Sequence, residues 1–290
     1  MTRLISAKTI LSGSASKADP WFDTSYTINL YRGCSHGCIY CDSRSKCYQI
    51  DDFDNIQIKH NAIDLLHKEL RSKKKRGTIG FGSMNDCYMP LEAKHQLTRK
   101  ALEIVNLHRF PVHIITKGTL VTRDIDILKA ISKIYAAVSV SITSSSDETG
   151  QLVEPNAPLS SERFQTIKEL SYSGIYCGIT LMPVIPFITD TKENIKQIVI
   201  KAKEAGARYI IGGFGMTLRE GNREYFYQQL DKRIPGLKEK YIQNFGDRYS
   251  CYTNKTRELD NYFKQLCRQN NLPDKMIFYK PPIAEHGLLF

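Results

Sequence analysis

Residues 33–42 read Gly33-Cys34-Ser35-His36-Gly37-Cys38-Ile39-Tyr40-Cys41-Asp42, and this run decides how the rest of the chain is understood. Its three cysteines have the spacing C-x3-C-x2-C, with no fourth cysteine at ligand spacing. Three thiolates can hold three irons of a [4Fe-4S] cluster and leave the fourth iron open. An open iron binds a substrate or cofactor, whereas a fully ligated cluster mainly transfers electrons. The same distinction separates catalytic from structural zinc. Two plainer readings stand beside this one. His36 or Cys47 can supply a fourth ligand to a structural zinc. Alternatively the thiols are unrelated core residues, although three cysteines beside two glycines is unusual core composition.

Outward from this loop, strand-like and helix-like segments alternate from about residue 25 to 215. Short β-rich runs occupy Ser25–Leu30, Thr78–Gly82, Val112–Thr116, Ala137–Ile142, Tyr176–Pro183 and Arg208–Phe214. Helical patterns fall near 58–72, 91–107, 124–134, 160–173 and 191–205. Asp190-Thr191-Lys192-Glu193 has the form of a capping box, and Gly206 closes that helix. Ser160 or Ser161 is placed to cap the preceding helix, which Gly174 ends. This rhythm predicts an α/β fold of parallel βαβ units, curling into a partial (β/α)6 TIM-like barrel. A doubly wound flat sheet has the same periodicity. In a barrel, chemistry sits at the C-terminal ends of the strands, where the cysteine loop follows the first strand. The expected division is an N-terminal extension (1–24), the barrel (25–215) and a mainly helical, aromatic and basic C-terminal region (216–290).

The composition is that of an ordinary folded domain: 290 residues, 41% hydrophobic and 24% charged. No apolar run approaches the ~20 residues of a membrane span, so no membrane partner is expected. Met1–Lys8 has no apolar h-region, which argues against secretion. Eight cysteines then fit a reducing compartment and a cytoplasmic location. The net charge of +11 favours a polyanionic partner, nucleic acid first, although many basic proteins bind none. Lys73-Lys74-Lys75-Arg76 reads as a solvated helix end. In the last 75 residues arginines alternate with tyrosines (Arg219, Tyr225, Tyr227, Tyr249, Tyr252, Arg257). Such a mixture either clamps single-stranded nucleic acid or packs as a helical cap on the barrel mouth.

C-x3-C-x2-C with Tyr40 before the last cysteine, combined with the βα rhythm, resembles the radical S-adenosylmethionine (SAM) superfamily over about residues 20–215. Several further segments are similar to the spore photoproduct lyase and DNA-repair-photolyase-like group. They are Leu30-Tyr31-Arg32-Gly33-Cys34, Ser83–Glu92, Ile115-Thr116-Lys117, Ser139–Ile142 and Glu154-Pro155-Asn156-Ala157-Pro158. The resemblance implies an enzyme that cleaves S-adenosyl-L-methionine reductively at a [4Fe-4S] cluster held by Cys34, Cys38 and Cys41. The resulting 5′-deoxyadenosyl radical then abstracts hydrogen from a substrate. Nucleic acid, DNA before RNA, is the implied substrate, in a lyase-like repair reaction, with a flavodoxin- or ferredoxin-type electron donor. A peptide or small-metabolite substrate, or a non-catalytic metal-binding nucleic-acid module, are the alternatives.

The same resemblance implies roles for single residues. Tyr40 would touch the adenine, and Lys117 would pair with the methionine carboxylate. Gly82 and Ser83, with Gly80 and Phe81, would hold the methionine amine. Ser139 and Ser141 alternate with Val138 and Val140 and so share one face of the fourth strand; ribose hydroxyls would be their partners, Ser141 foremost. Cys87 and Tyr88 are the catalytic candidates, as hydrogen-atom donor and radical relay. Two features depart from the lyases. Their donor cysteine lies about four residues earlier, nearer Ser83, and Asp42 stands where they carry a tyrosine. Cys47, Cys177, Cys251 and Cys267 lack the paired spacing of a second cluster.

Overall fold

The computed structural model describes residues 3–13, 19 and 21–281. Six parallel strands form the centre: β1 (Thr24–Ile28), β2 (Thr78–Phe81), β3 (Val112–Thr116), β4 (Ala136–Ser141), β5 (Tyr176–Val184) and β6 (Ile210–Phe214). They pair in chain order, and Leu11–Gly13 adds an antiparallel edge strand beside β1. Helices α1 (Ala62–Ser72), α2 (Leu97–Leu107), α3 (Ile125–Ser132), α4 (Ser160–Tyr172) and α5 (Lys192–Glu204) connect successive strands. The sheet is not closed into a ring: β6 is one edge and Leu11–Gly13 the other. This is the expected partial barrel rather than a doubly wound sheet, because every crossover adds its strand on the same side of the last.

Alternation along the strands separates two faces. Ile79, Phe81, Val112, Ile114, Val138, Val140, Cys177 and Ile179 face the helices and belong to one continuous apolar core. The opposite face is small and polar. Thr27 lies beside Gly80, Gly80 beside His113, Ile115 beside Ser139, and Ser141 beside Thr180.

Helix stop signals held, and the start signals held only in part. Thr191 caps α5 by accepting from the Asn194 amide at 3.1 Å. Glu193 does not complete a box and instead accepts from Gln197 one turn on. Neither Ser160 nor Ser161 caps α4; Leu159 precedes it, and the Glu162 carboxylate takes the Leu159 amide at 2.6 Å. Gly174 and Gly206 follow their helices at φ +80° and +81°, a conformation glycine adopts without steric cost.

The C-terminal part has two fates. Residues 215–255 insert after β6. They carry a two-stranded pair (Met216–Thr217 with Ser250–Cys251) and helices α6 (Asn222–Arg233) and α7 (Leu237–Phe245). The last helix, α8 (Thr256–Gln269), returns to the barrel and packs on β6 and α5. Its Leu259, Phe263, Leu266 and Cys267 join the barrel core. A boundary drawn at 215 therefore cuts off a helix that completes the sixth βα unit. Periodicity alone could not connect α8 to a strand some 40 residues upstream.

Candidate active site

The cysteine loop leaves β1 through Tyr31–Arg32, which pairs with Gln57–Lys59. Two glycines shape it. At Gly33 (φ +88°) an added Cβ would meet the Phe53 carbonyl oxygen at 2.4 Å, and the Cys34 amide donates to that oxygen at 3.1 Å. At Gly37 (φ +68°) a Cβ would lie 2.9 Å from Asn156 Nδ2. The segment after β4 grips the loop from this side. The Asn156 amide donates to the His36 carbonyl at 3.1 Å, Asn156 Nδ2 to the Ser35 carbonyl at 3.2 Å, and the Ile39 amide to the Val153 carbonyl at 2.9 Å. Ile39, between two cysteines, is fully buried under Phe226, Leu230, Tyr241 and Phe245 of the insertion. Asn222 Nδ2 donates to the Tyr40 carbonyl at 3.3 Å. The insertion therefore covers the cysteine loop, as the cap reading expected.

The donor set fits a three-thiolate cluster. Cys34 and Cys38 are buried and Cys41 half-buried. Burial pushes the Cys38 thiol up to about 12, with Lys117 pulling the other way. It pushes Cys34 above its usual range, helped by Asp86. Such thiols keep their protons until a metal displaces them. Neither candidate for a fourth ligand joins them. His36 is turned to Asp86, with Nε2 3.1 Å from the carboxylate. Cys47 is exposed and accepts from Arg219 at 3.6 Å. Among the described residues no three His, Cys, Asp or Glu side chains close on a point that could hold a single ion.

Two buried charge networks surround the loop. In the first, Asp86 accepts from the Tyr88 amide (2.8 Å), the Thr116 hydroxyl (2.6 Å) and the Lys117 amide (2.6 Å), and faces His36. Burial raises its carboxyl, but His36 and these donors outweigh burial and hold it below the usual carboxylate range. In the second, fully buried Glu154 pairs with Arg163 at 2.6 Å, lies 3.9 Å from Lys117 Nζ and accepts from the Tyr40 and Thr143 hydroxyls. Burial raises Glu154 too, and Arg163 and Lys117 bring it down. Lys117 Nζ stands 5.7 Å from the Tyr40 ring centre. Burial lowers the Lys117 ammonium, but Cys38 and Glu154 outweigh it and raise the group.

This chain matches the radical SAM superfamily over residues 28–192, more than half its length. It belongs to that superfamily. Radical SAM proteins bind a [4Fe-4S] cluster and S-adenosyl-L-methionine. An uncharacterized protein of Mycobacterium tuberculosis is 32% identical over 224 residues, covering 74% of this chain and 66% of that one. The chain thus spans just under two thirds of that relative's length. An uncharacterized protein of Methanocaldococcus jannaschii is 28% identical over 80% of each chain. A protein of Pseudomonas phage M6 named radical SAM Nalpha-GlyT isomerase is 24% identical over 69% of this chain and 41% of its own. Among solved structures, a spore photoproduct lyase variant superposes with a TM-score of 0.70 at 17% identity, over 92% of this chain and 78% of that one. The same enzyme complexed with dinucleoside spore photoproduct gives 0.68 over the same shares, again at 17% identity. At this identity the likeness is one of fold.

The expected site residues do not all meet. Tyr40, Lys117 and the three cysteines share one end of the barrel, where Glu154 joins Tyr40 to Lys117. Gly82 (φ +91°) and exposed Ser83 follow β2 at the same end. A Cβ on Gly82 would lie 2.0 Å from the Ile115 carbonyl oxygen, so β2 and β3 touch there through backbone. Ser141 is buried, its hydroxyl 2.9 Å from that of Thr180. Ser139 departs from expectation. Its hydroxyl lies 2.8 Å from His113 Nε2 and 2.7 Å from the Tyr209 hydroxyl, so the group expected to meet a ribose is already engaged inside the protein. Cys87 is 3% exposed, and burial, then Asp86 and Glu92, raises its thiol well above the usual range. Tyr88 is fully buried and donates to Asp124 at 3.0 Å. Glu154, Arg163 and Asp86 were not singled out from the sequence, and His36 was read only as a possible zinc ligand, not as the partner of Asp86. Asp86 and Glu154 lay in segments that carried the family resemblance, but nothing in a loop sequence distinguishes a buried carboxylate from a solvated one.

Proposed function

We propose that this radical SAM protein is an enzyme that abstracts hydrogen from a nucleic-acid substrate, a damaged or modified base, in a reaction related to that of spore photoproduct lyase. When bound, the cluster and S-adenosyl-L-methionine supply the carbon-centred radical that begins this chemistry. The chain's own residues do the rest. Cys34, Cys38 and Cys41 ligate the cluster and leave one iron open. Tyr40 and Lys117, held by Glu154, would orient the adenine and the methionine ends respectively, with Gly82, Ser83 and Ser141 completing the cradle. A flavodoxin- or ferredoxin-type protein delivers the electron. Cys87, kept protonated by its surroundings, retains the hydrogen atom that a product radical would need. Tyr88 lies next to it as a relay.

The observation that carries the substrate class is the rim beside the cysteine loop. The Arg219 guanidinium lies 4.9 Å from the Tyr249 ring centre and 5.9 Å from that of Tyr48. Tyr249 and Tyr252 are about half exposed. Cations interleaved with exposed aromatic faces suit an unstacked strand. A structure of spore photoproduct lyase with a bound dinucleoside points the same way. The target base must leave its stack to reach a barrel interior. The test is anaerobic: reconstitute the protein, reduce it, add S-adenosyl-L-methionine and quantify 5′-deoxyadenosine with and without irradiated DNA. Wild type should form it and Cys38→Ala should not. DNA binding should weaken as salt rises. A colourless zinc protein that forms none overturns the enzymatic reading. Turnover without nucleic-acid affinity moves the substrate to a peptide or metabolite.

A further inference from the structure

The concave face of the sheet holds a cavity of about 510 Å³ between β1–β3 and the N-terminal segment, lined among others by Phe22, Thr27, Gly80, Gly82, Ser83 and His113. Its size is that of a small-molecule site. Its lining runs from Gly82 and Ser83, at the same end of the strands as the cysteine loop, to His113 within β3. His113 is fully buried, and its Nδ1 has no hydrogen-bond partner among the described residues. A buried, unpartnered ring nitrogen in a native protein calls for an explanation.

The hydrogen-bond chain leaves the fewest unsatisfied groups with the proton on one particular nitrogen. Tyr209 is fully buried, and among the described residues its hydroxyl has one partner, Ser139, at 2.7 Å. A buried O–H without an acceptor is costly, so Tyr209 donates to Ser139. The Ser139 hydroxyl then donates to His113 Nε2 at 2.8 Å, which makes Nε2 the acceptor. A neutral imidazole with an accepting Nε2 carries its hydrogen on Nδ1. Burial keeps the ring neutral, lowering it to about 3. The ring that borders the cavity thus holds a buried N–H donor without a partner among the described residues. Around it the wall carries Gly80, the Thr27 hydroxyl and the Phe22 ring 5.2 Å from His113, with the Asp19 carboxylate held by the Trp21 and Phe22 amides at 2.9 Å.

We propose that His113, fixed by Ser139 and Tyr209, is a positioning residue whose Nδ1–H receives a ring carbonyl oxygen of a planar heterocycle, the oxo-base of the substrate, in this cavity. This rests on the nucleic-acid reading above and locates the base within it. The test uses the cluster-loaded protein, ¹⁵N-labelled at histidine, with thymidine as probe and its abasic deoxyribose as control. The ¹⁵N spectrum should show His113 as the neutral Nδ1–H tautomer, and thymidine but not the abasic sugar should move that signal. Asparagine places an amide near Nδ1 and glutamine near Nε2. His113→Asn should therefore hold thymidine within a few-fold of wild type, and His113→Gln should bind about tenfold more weakly. An Nε2–H tautomer, an unmoved signal, or equal binding by the two variants overturns the proposal. None of these outcomes depends on 5′-deoxyadenosine formation, so the proposal and the reading beneath it fail separately.

Discussion

The rim and the interior of this barrel handle buried polarity in opposite ways. Around the cysteine loop the buried groups include ions, Asp86, Glu154 and Arg163, with half-buried Lys117 beside them. On the concave face of the strands they are neutral: His113, Ser139, Tyr209, Ser141 and Thr180. At strand ends, loops bring free backbone amides and opposite charges to a carboxylate, and Asp86 collects two backbone amides and a hydroxyl in this way. In mid-strand the backbone is already committed to the sheet, so a side chain must be satisfied by its neighbours across the strands. Imidazole and hydroxyl groups manage this, and an unpaired charge would not.

Removing one partner of the rim network should have the largest effect. Glu154→Ala leaves buried Arg163 and half-buried Lys117 without their counter-charge, and should cost about 3–5 kcal/mol in chemical denaturation. The same variant should retain less iron and sulfide after reconstitution, because Glu154 also holds Tyr40 beside Cys38 and Cys41. A loss under 1 kcal/mol would mean that the rim is solvated like an ordinary loop.

The interior should respond to pH instead. A free histidine titrates near 6.5 and His113 at about 3. Below pH 6.5 the unfolded chain takes up a proton that the folded protein refuses. The stability contributed by a neutral His113 is therefore complete above 6.5 and is lost as pH falls toward 3, by up to about 1.4 kcal/mol per pH unit. Stability measured against pH should fall less steeply over this window for His113→Asn than for wild type. Parallel curves would remove the contrast between a charged rim and a neutral interior.

The smallest effect belongs to the outermost rim. Arg219→Ala should weaken single-stranded DNA binding uniformly across sequences and reduce the slope of log affinity against log salt by about one. An unchanged slope would leave Arg219 as packing between Tyr48 and Tyr249.

Much of this was legible in the sequence. The six parallel strands begin and end within about two residues of the β-rich runs, because hydrophobic alternation and glycine-bounded helices are local signals. The cysteine loop was legible for the same reason, since its spacing lies within one short segment. The buried groups around it were not. Asp86, Glu154 and Arg163 become a site only when loops far apart in the chain meet at one end of the barrel, and Coulomb interactions depend on distance and burial rather than on order in the chain. Helix α8 belongs to the barrel, although its sequence follows a 41-residue insertion, 215–255. Ser139 was placed on the correct face by its period of two, yet its partner was decided by where β5 and β6 bring Tyr209. The sequence by itself determined the elements and the cysteine loop, whose causes lie within a few residues of one another. Tertiary structure alone decided which charges are buried, what holds them, and where an imidazole is left with a hydrogen to donate, because those properties arise only when distant segments exclude water together.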